Sequence, residues 1–492
     1  MVLAISSILG APAISRAWAL AETAETGPRT DPTGDRSRSG PTFPLAVQPG
    51  KRYLVDAASE PFLIHGDTAW SLIAQLTREE VHLYLDDRRA RGFNAILVNL
   101  IEHAFATDAP ANAYGQLPFH GRMFEAAATL AAALPFGRFT AGLATRLADY
   151  SAPNEAYFAH ADWVLRRAAD KGFLVLLTPS YLGVKGGSHG WYQAMVANGP
   201  DRLGQYGEYL GRRYRDFTNI LWVHAGDYNP PRKDLVRAIA QGIQKFDRSA
   251  LHTAHGAPGT SAIQHWQGEP WLQVNTIYTN KLYMTSKPVY AAALEQYGRS
   301  ERMPFFLIET AYENNKGHEA TEQRLRLQAY QAVLSGAAGH VFGNNPVWHF
   351  DGPGLYPAPA SWQKSLGSRG AQSMMHLRTL FMAVPWWQLE PDTDYTILTD
   401  GIGPEGDRAV AASTADRSLV VLYIPSRRDF TVDLGKFAGP EVSALWYDPA
   451  DGQFSAVSGS PFPAKGTHRF GPELGNNSSG FDDWVLILEV QS

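Results

Sequence analysis

Between Phe62 and Phe342 the chain returns eight times to a short apolar run: Phe62-Leu63-Ile64, Ala95 to Val98, Phe173 to Thr178, Ile220 to Val223, Leu251 to Thr253, Trp271 to Ile277, Phe305 to Ile308 and Gly339 to Phe342. Stretches of helical period fill most of the gaps. Thr77 to Arg91 opens with Thr77 and Glu80 three residues on, a capping box, and Asn154 to Lys171 stops at Gly172. Runs without polar alternation are what parallel strands covered on both faces require. Eight such units over about 300 residues favour a (β/α)8 barrel over a doubly wound sheet. No internal repeat is evident.

Past Pro385 the pattern changes to short alternating segments, Ala409 to Thr414, Leu419 to Ile424 and Phe430 to Leu434, and Trp484 to Val490 closes as a strand. Asp448-Pro449 with Asp451-Gly452 is a hairpin-type turn, so residues 386–492 read as a small β-sandwich after a catalytic-sized domain at 45–385. Glu22 to Pro44, rich in Thr, Gly, Pro and charge, reads as a linker (22–44). Val2 to Ile14 has the length of a signal h-region, and Ala17-Trp18-Ala19 and Ala19-Leu20-Ala21 fit a cleavage site, although no basic residue precedes the apolar run. Residues 1–21 are therefore expected to be an export signal, and the mature protein to be periplasmic or secreted. No run supplies the roughly 20 apolar residues of a membrane span.

The 492 residues carry 43 Lys+Arg, 48 Asp+Glu and no Cys. Thiol nucleophiles, disulfides and thiolate metal sites are thereby excluded, and the slightly acidic balance argues against sequence-independent nucleic-acid binding. In a barrel the reactive face is the carboxyl end of the strands. Three acids stand there: Asp67 after the first run, Asp227 after the fourth and Glu309 after the seventh. The fourth and seventh strands face each other across the mouth. A carboxyl from each can flank a glycosidic bond, one protonated to release the leaving oxygen and one ionised to attack or to activate water. Asp67, on the first strand-to-helix turn, is expected to be structural or to hold substrate. Trp70, Asn99, Tyr181, Trp191, Asn229, His255, Tyr278, Tyr312 and Trp348 populate the same face. Aromatic faces pack on sugar C–H faces, and amides and imidazoles read hydroxyls.

Three pattern matches carry little. Gly186-Gly187-Ser188-His189-Gly190 fits G-x-S-x-G but lies beyond the third strand rather than on a tight strand-to-helix turn. Gly401-Ile402-Gly403-Pro404-Glu405-Gly406 fits G-x-G-x-x-G but runs into a strand. His252 and His255 point to opposite faces of one strand, which argues against a shared metal, and His318-Glu319 lacks a second histidine.

Gly66-Asp67-Thr68-Ala69-Trp70, Leu76-Thr77-Arg78-Glu79-Glu80 and Arg91-Gly92-Phe93-Asn94 resemble the opening of the apiosidase-like catalytic domains of glycoside hydrolase family 140. Pro153 to Phe158, Gly226 to Pro230, Phe306 to Glu309 with Tyr312-Glu313, and Gly339-His340 are similar to that family in order and spacing. The C-terminal part, with Trp446 to Pro449, looks like the sandwich often labelled a collagen-binding domain. The resemblance implies a (β/α)8 hydrolase with Asp227 as general acid/base and Glu309 as nucleophile, acting on apiosyl linkages in pectin. Two departures stand out: an Ala- and Leu-rich insertion from His120 to Tyr150, and His224-Ala225 where the family often has a glycine or aliphatic residue.

The expectation is thus an exported glycosidase that needs no cofactor or metal and acts on an oligosaccharide or polysaccharide, with the sandwich as packing support or a weak glycan contact. Two other readings stand beside it. One is a non-catalytic glycan- or matrix-binding protein working through the sandwich, the other a barrel esterase using Ser188.

Overall fold

The computed structural model describes residues 41–120, 148–279, 287–317, 320–471, 473 and 475–491. The expected export signal, nearly all of the linker, the Ala- and Leu-rich insertion apart from its edges, and His318-Glu319 lie outside the described residues. Eight parallel strands form one sheet: β1 (Ile64–Thr68), β2 (Ala95–Asn99), β3 (Leu174–Thr178), β4 (Ile220–Ala225), β5 (Leu251–His255), β6 (Asn275–Tyr278), β7 (Phe305–Glu309) and β8 (Gly339–Phe342). Their order runs β5-β4-β3-β2-β1-β8-β7-β6. The β5/β6 seam closes the cylinder with a less regular ladder. There Thr253 Oγ1 donates to Val274 O (2.6 Å) and Thr276 Oγ1 to Ala254 O (2.5 Å), and Val274 N donates to His252 O (3.2 Å). The expected TIM barrel is present.

Helices α1 (Arg78–Ala90), α2 (Glu155–Asp170), α3 (Tyr192–Tyr214), α4 (Lys233–Gln244), α5 (Val289–Tyr297), α6 (Glu322–Leu334) and α7 (Arg369–Ala383) surround it. α1 starts with both bonds of the Thr77/Glu80 box, and Asn154 caps α2 through Ala156 N. Two strands differ most from expectation. β1 begins only at Ile64 and runs through Asp67 and Thr68, because its polar residues pair in register with β2 and β8. β6 begins at Asn275, because Trp271 lies edge-on against His224 (4.9 Å) outside the barrel.

Alternation sorts every barrel strand into two cores. Ile64, Ala95, Leu97, Leu174, Leu176, Leu221, Val223, Phe306, Ile308 and Val341 form an interior cluster that includes no residue of α1–α7. Leu45, Leu54 and Phe62, from a three-stranded antiparallel flap (Ala46–Val47, Leu54–Val55, Pro61–Phe62), plug its lower end. Ile96, Val98, Val175, Leu177 and Trp222, of opposite parity, pack outward against the helices.

The C-terminal part is an antiparallel sandwich: one sheet centred on Leu419–Ile424, Trp484–Val490 and Glu441–Tyr447, and a three-stranded sheet of Leu398–Asp400, Phe430–Asp433 and Thr467–Phe470. Leu419–Ile424 is buried on both faces. Val420, Leu422 and Ile424 face the sandwich's own core, while Leu419, Val421 and Tyr423 join the barrel's outer core. At this seam Arg326 of α6 grips Asp483 with two bonds of 2.7 Å, both side chains fully buried. Tyr423 donates to the same carboxylate at 2.8 Å while stacking on Tyr330 at 4.7 Å. Gly401 to Gly406 is a sandwich loop ending in a 3-10 turn.

Candidate active site

Parity alone assigns three of the strand-end side chains. On β2, Ala95 and Leu97 point inward, so Asn99 does too; on β5 the same count turns His255 inward and His252 outward. His252 accordingly pairs with His224 in the outer layer (Nδ1 to Nε2, 2.9 Å). On β1 the count sends Asp67 outward. Its Oδ2 accepts from Tyr84 of α1 at 2.7 Å and lies 3.5 Å from Arg88. Burial lifts its pKa to about 6, against the pull of Arg88 and Tyr84. Asp67 therefore ties β1 to α1 and does not line the cleft, which corrects its expected place among substrate-holding residues.

Glu309 escapes parity through a backbone irregularity, whereas the count from Leu221 and Val223 on β4 carries Asp227 inward. The register of β7 against β6 shifts between Leu307 and Glu309, a bulge that turns Glu309 into the mouth after the inward Ile308. From the last residue of β4 onward, three successive residues take positive φ: Ala225 (68°), Gly226 (123°) and Asp227 (53°). Non-glycine residues pay about 1 kcal/mol or more for that region, and such strain concentrates at functional sites. Glycine is required at 226 for a second reason, since a Cβ there would sit 2.3 Å from the Tyr181 ring. Ala225, the departure noted in the sequence, occupies a conformation where glycine would be at ease.

The two acids meet around His255. Single donor atoms of Asp227, His255 and Glu309 all lie within 4.8 Å of one another. His255 Nε2 is 2.6 Å from Glu309 Oε2, and Nδ1 is 3.6 Å from Asp227 Oδ1. In a neutral ring Nδ1 accepts the Asp227 backbone N–H (3.2 Å); in a protonated ring it can donate to Gly256 O (3.2 Å). Burial opposes charge on His255, but the Glu309 hydrogen bond and the charges of Glu309 and Asp227 together raise its pKa. Tyr181 Oη donates to Asp227 Oδ2 at 2.6 Å. Burial, then the charge of Glu309, pushes the Asp227 carboxyl up to about 7, while His255, Tyr181 and Tyr278 hold it down. The three side chains are also the one group among the described residues with cation-binding spacing. A metal there would have to break the short His255–Glu309 hydrogen bond.

The acids line a cleft whose empty space, open mouth included, is about 760 Å³, a usual size for a small-molecule site. Trp70, Asn99, Tyr181, Tyr278, Tyr312 and Trp348 share its wall. Trp70 Nε1 donates to Tyr312 Oη at 3.1 Å, locking two of them together. His255 sits beneath, edge-on to Trp70 (5.6 Å) and Tyr278 (4.9 Å). Two expected residues are elsewhere. Asn229 spends its side chain on the next loop, accepting from Ala257 N (3.1 Å), and Trp191 is fully buried, donating to Ile101 O. Phe105, His189, Asn315 and Tyr356 complete the wall from loops. Their only sequence signal was an offset of several residues past a strand. His189 belongs to the G-x-S-x-G match, whose Ser188 is exposed and off the cleft.

Residues 48–388 match the family described as "Apiosidase-like, catalytic domain". The chain belongs to the apiosidase-like family. With that membership comes its enzyme class, O-glycosyl hydrolase. Residues 391–489 match the model described as "Putative collagen-binding domain of a collagenase". Among solved structures, a glycoside hydrolase family 5 protein from Bacteroides vulgatus is 23% identical, with 91% of this chain and 93% of that one covered and a TM-score of 0.74. A second structure, named only as a glycoside hydrolase, is 24% identical over 92% and 97% of the two chains, also at 0.74. At these identities the likeness speaks to the fold alone, over barrel and sandwich together. No curated protein matches the chain.

Proposed function

We propose that this apiosidase-like enzyme hydrolyses a glycosidic bond of a plant or microbial polysaccharide by a retaining, two-carboxylate mechanism, with apiosyl linkages of pectin as the first substrates to test. The observation that carries the reading is the meeting of Asp227 and Glu309 carboxyl oxygens within 4.8 Å at the floor of one aromatic cleft. Retaining enzymes place the pair about 5–5.5 Å apart and inverting enzymes about 6.5–9.5 Å, to leave room for water.

Asp227, its pKa lifted by burial and by Glu309, holds a proton near neutrality and gives it to the departing oxygen. Glu309, fixed by His255 Nε2, attacks the anomeric carbon and forms a glycosyl ester. Once the Glu309 charge is consumed in the ester, Asp227 becomes more acidic, as its second role requires. It then takes a proton from water, whose oxygen displaces Glu309. Trp70, Tyr312 and Trp348 offer faces for the sugar ring, and Asn99 Oδ1, buried and without a hydrogen-bond partner among the described residues, awaits a hydroxyl.

The test is a screen of the purified protein on pectic and hemicellulosic oligosaccharides, with the anomer first released read by NMR. Turnover with retention, lost in Glu309→Gln and Asp227→Asn while binding persists, is expected. Inversion, or full activity in Glu309→Gln, would overturn the assignment.

A further inference from the structure

The end of the barrel opposite the cleft holds a second, larger groove, with about 1460 Å³ of empty space including its open side. Five segments of the chain build it: the turn of the N-terminal flap at Lys51 and Arg52, those leading into β7 and into β8, the start of the sandwich at Trp386 to Glu390, and the sandwich loop at Ala415 and Asp416. It is the length of β7 away from Glu309 and shares no residue with the cleft.

Its chemistry is uneven. Lys51, Arg52 and Arg302 bring three cations, and none of them forms an ion pair among the described residues. Arg52 lies 4.4 Å over the Tyr297 ring, and its Nη1 is buried without a hydrogen-bond partner among the described residues. Burial works against its proton, Tyr297 favours it, and the like charge of Arg302 adds to the effect of burial. Of the two acids on the wall, Asp416 is turned into its own loop, accepting from Ser418 N (3.1 Å) and Oγ (2.7 Å). Glu390 alone remains to offset the cations. The unspent, buried Nη1 of Arg52 is costly until an anion meets it, and a carboxylate fits the guanidinium fork. Beside them Trp387 stays 37% exposed, a flat apolar face next to the charge.

We infer that this groove is a second, non-catalytic glycan site that binds an oligosaccharide bearing uronic acid carboxylates, with Arg52 and Arg302 on the carboxylate and Trp387 under a ring. The choice of a sugar over another anionic ring compound rests on the glycosidase reading above. The groove would hold an acidic polymer at the lower end of the barrel while the cleft works on another part of it. Net charge cannot produce the same effect, because the whole chain carries −5 and repels a polyanion.

The experiment is affinity electrophoresis of the full chain at low ionic strength in gels holding polygalacturonate or neutral galactan, with wild type, Arg302→Ala and Trp387→Ala. Both substituted residues are on the surface, and melting temperatures confirm folding. Retardation in polygalacturonate alone is expected, weakened about tenfold by each substitution, with hydrolysis of a short oligosaccharide unchanged. Absence of retardation, equal retardation by galactan, or retardation that survives both substitutions would overturn the site; the last would place binding in the cleft. Retardation without any turnover would keep the groove and sink the hydrolase instead.

Discussion

Replacing Glu309 by Gln changes one charge and leaves the size of the side chain, so it isolates what that charge does to Asp227. The oxygens of the pair lie within 4.8 Å, and both side chains are nearly buried. Two unit charges at that distance repel by about 3.5 kcal/mol at an effective dielectric constant of roughly 20, equivalent to about 2.5 pH units. That is the ceiling. The substitution also strips His255 of its anionic partner, and the imidazolium that helps Asp227 ionise weakens with it. The expected outcome is a fall of at least about one unit from a starting point of about 7. Burial should still keep the midpoint above the ordinary value of 3.8. The assay is a carbon-13 NMR titration of protein labelled at the aspartate carboxyls, with the Asp227 signal assigned by its disappearance in Asp227→Asn. No substrate is needed. A midpoint that stays put or rises in Glu309→Gln would refute the claim that these carboxyls share one site.

Tyr181→Phe removes the 2.6 Å bond that favours ionised Asp227, so the alkaline limb of kcat/KM should move up by about one pH unit; a shift to lower pH would contradict the geometry. Asp483→Ala strands the buried Arg326 guanidinium between barrel and sandwich and should destabilise the protein by about 3–5 kcal/mol, read as a large drop in Tm. His65, His224, His252 and His340 are buried with lowered pKa, to about 3 for His252 and about 4 for His340. Below the ordinary 6.5 the unfolded chain takes up protons that these folded rings refuse, so stability is lost as pH falls. Asp67 and Asp227, both raised, act in the opposite direction between about 4 and 7 but are outnumbered. Scanning calorimetry should therefore give a lower Tm at pH 5 than at pH 7, and a flat profile would mean the rings are not held neutral. Ser188→Ala should leave turnover unchanged, because Ser188 is exposed and off the cleft; its loss would revive the esterase reading.

The chain's own pattern determined the architecture. Eight apolar runs with helical spacers admit few arrangements that cover both faces of every strand, and the change to alternation after Pro385 signals antiparallel sheets. Simple parity also carries Asn99 and His255 into the barrel mouth, since side-chain direction along a regular strand is a local property. It carries Asp67 out to α1 as well, once β1 is known to run as far as Thr68. Parity carries Asp227 inward too; what it could not supply is the inward turn of Glu309. That comes from the slipped register at Leu307/Glu309, and the positive φ of Ala225, Gly226 and Asp227, which sets the backbone from which Asp227 meets it, is likewise imposed only by tertiary neighbours such as Tyr181. The loop residues Phe105, His189, Asn315 and Tyr356 reach the cleft by paths of no fixed period. The groove behind the barrel needs five separate segments to come together, a juxtaposition that long-range packing alone decides.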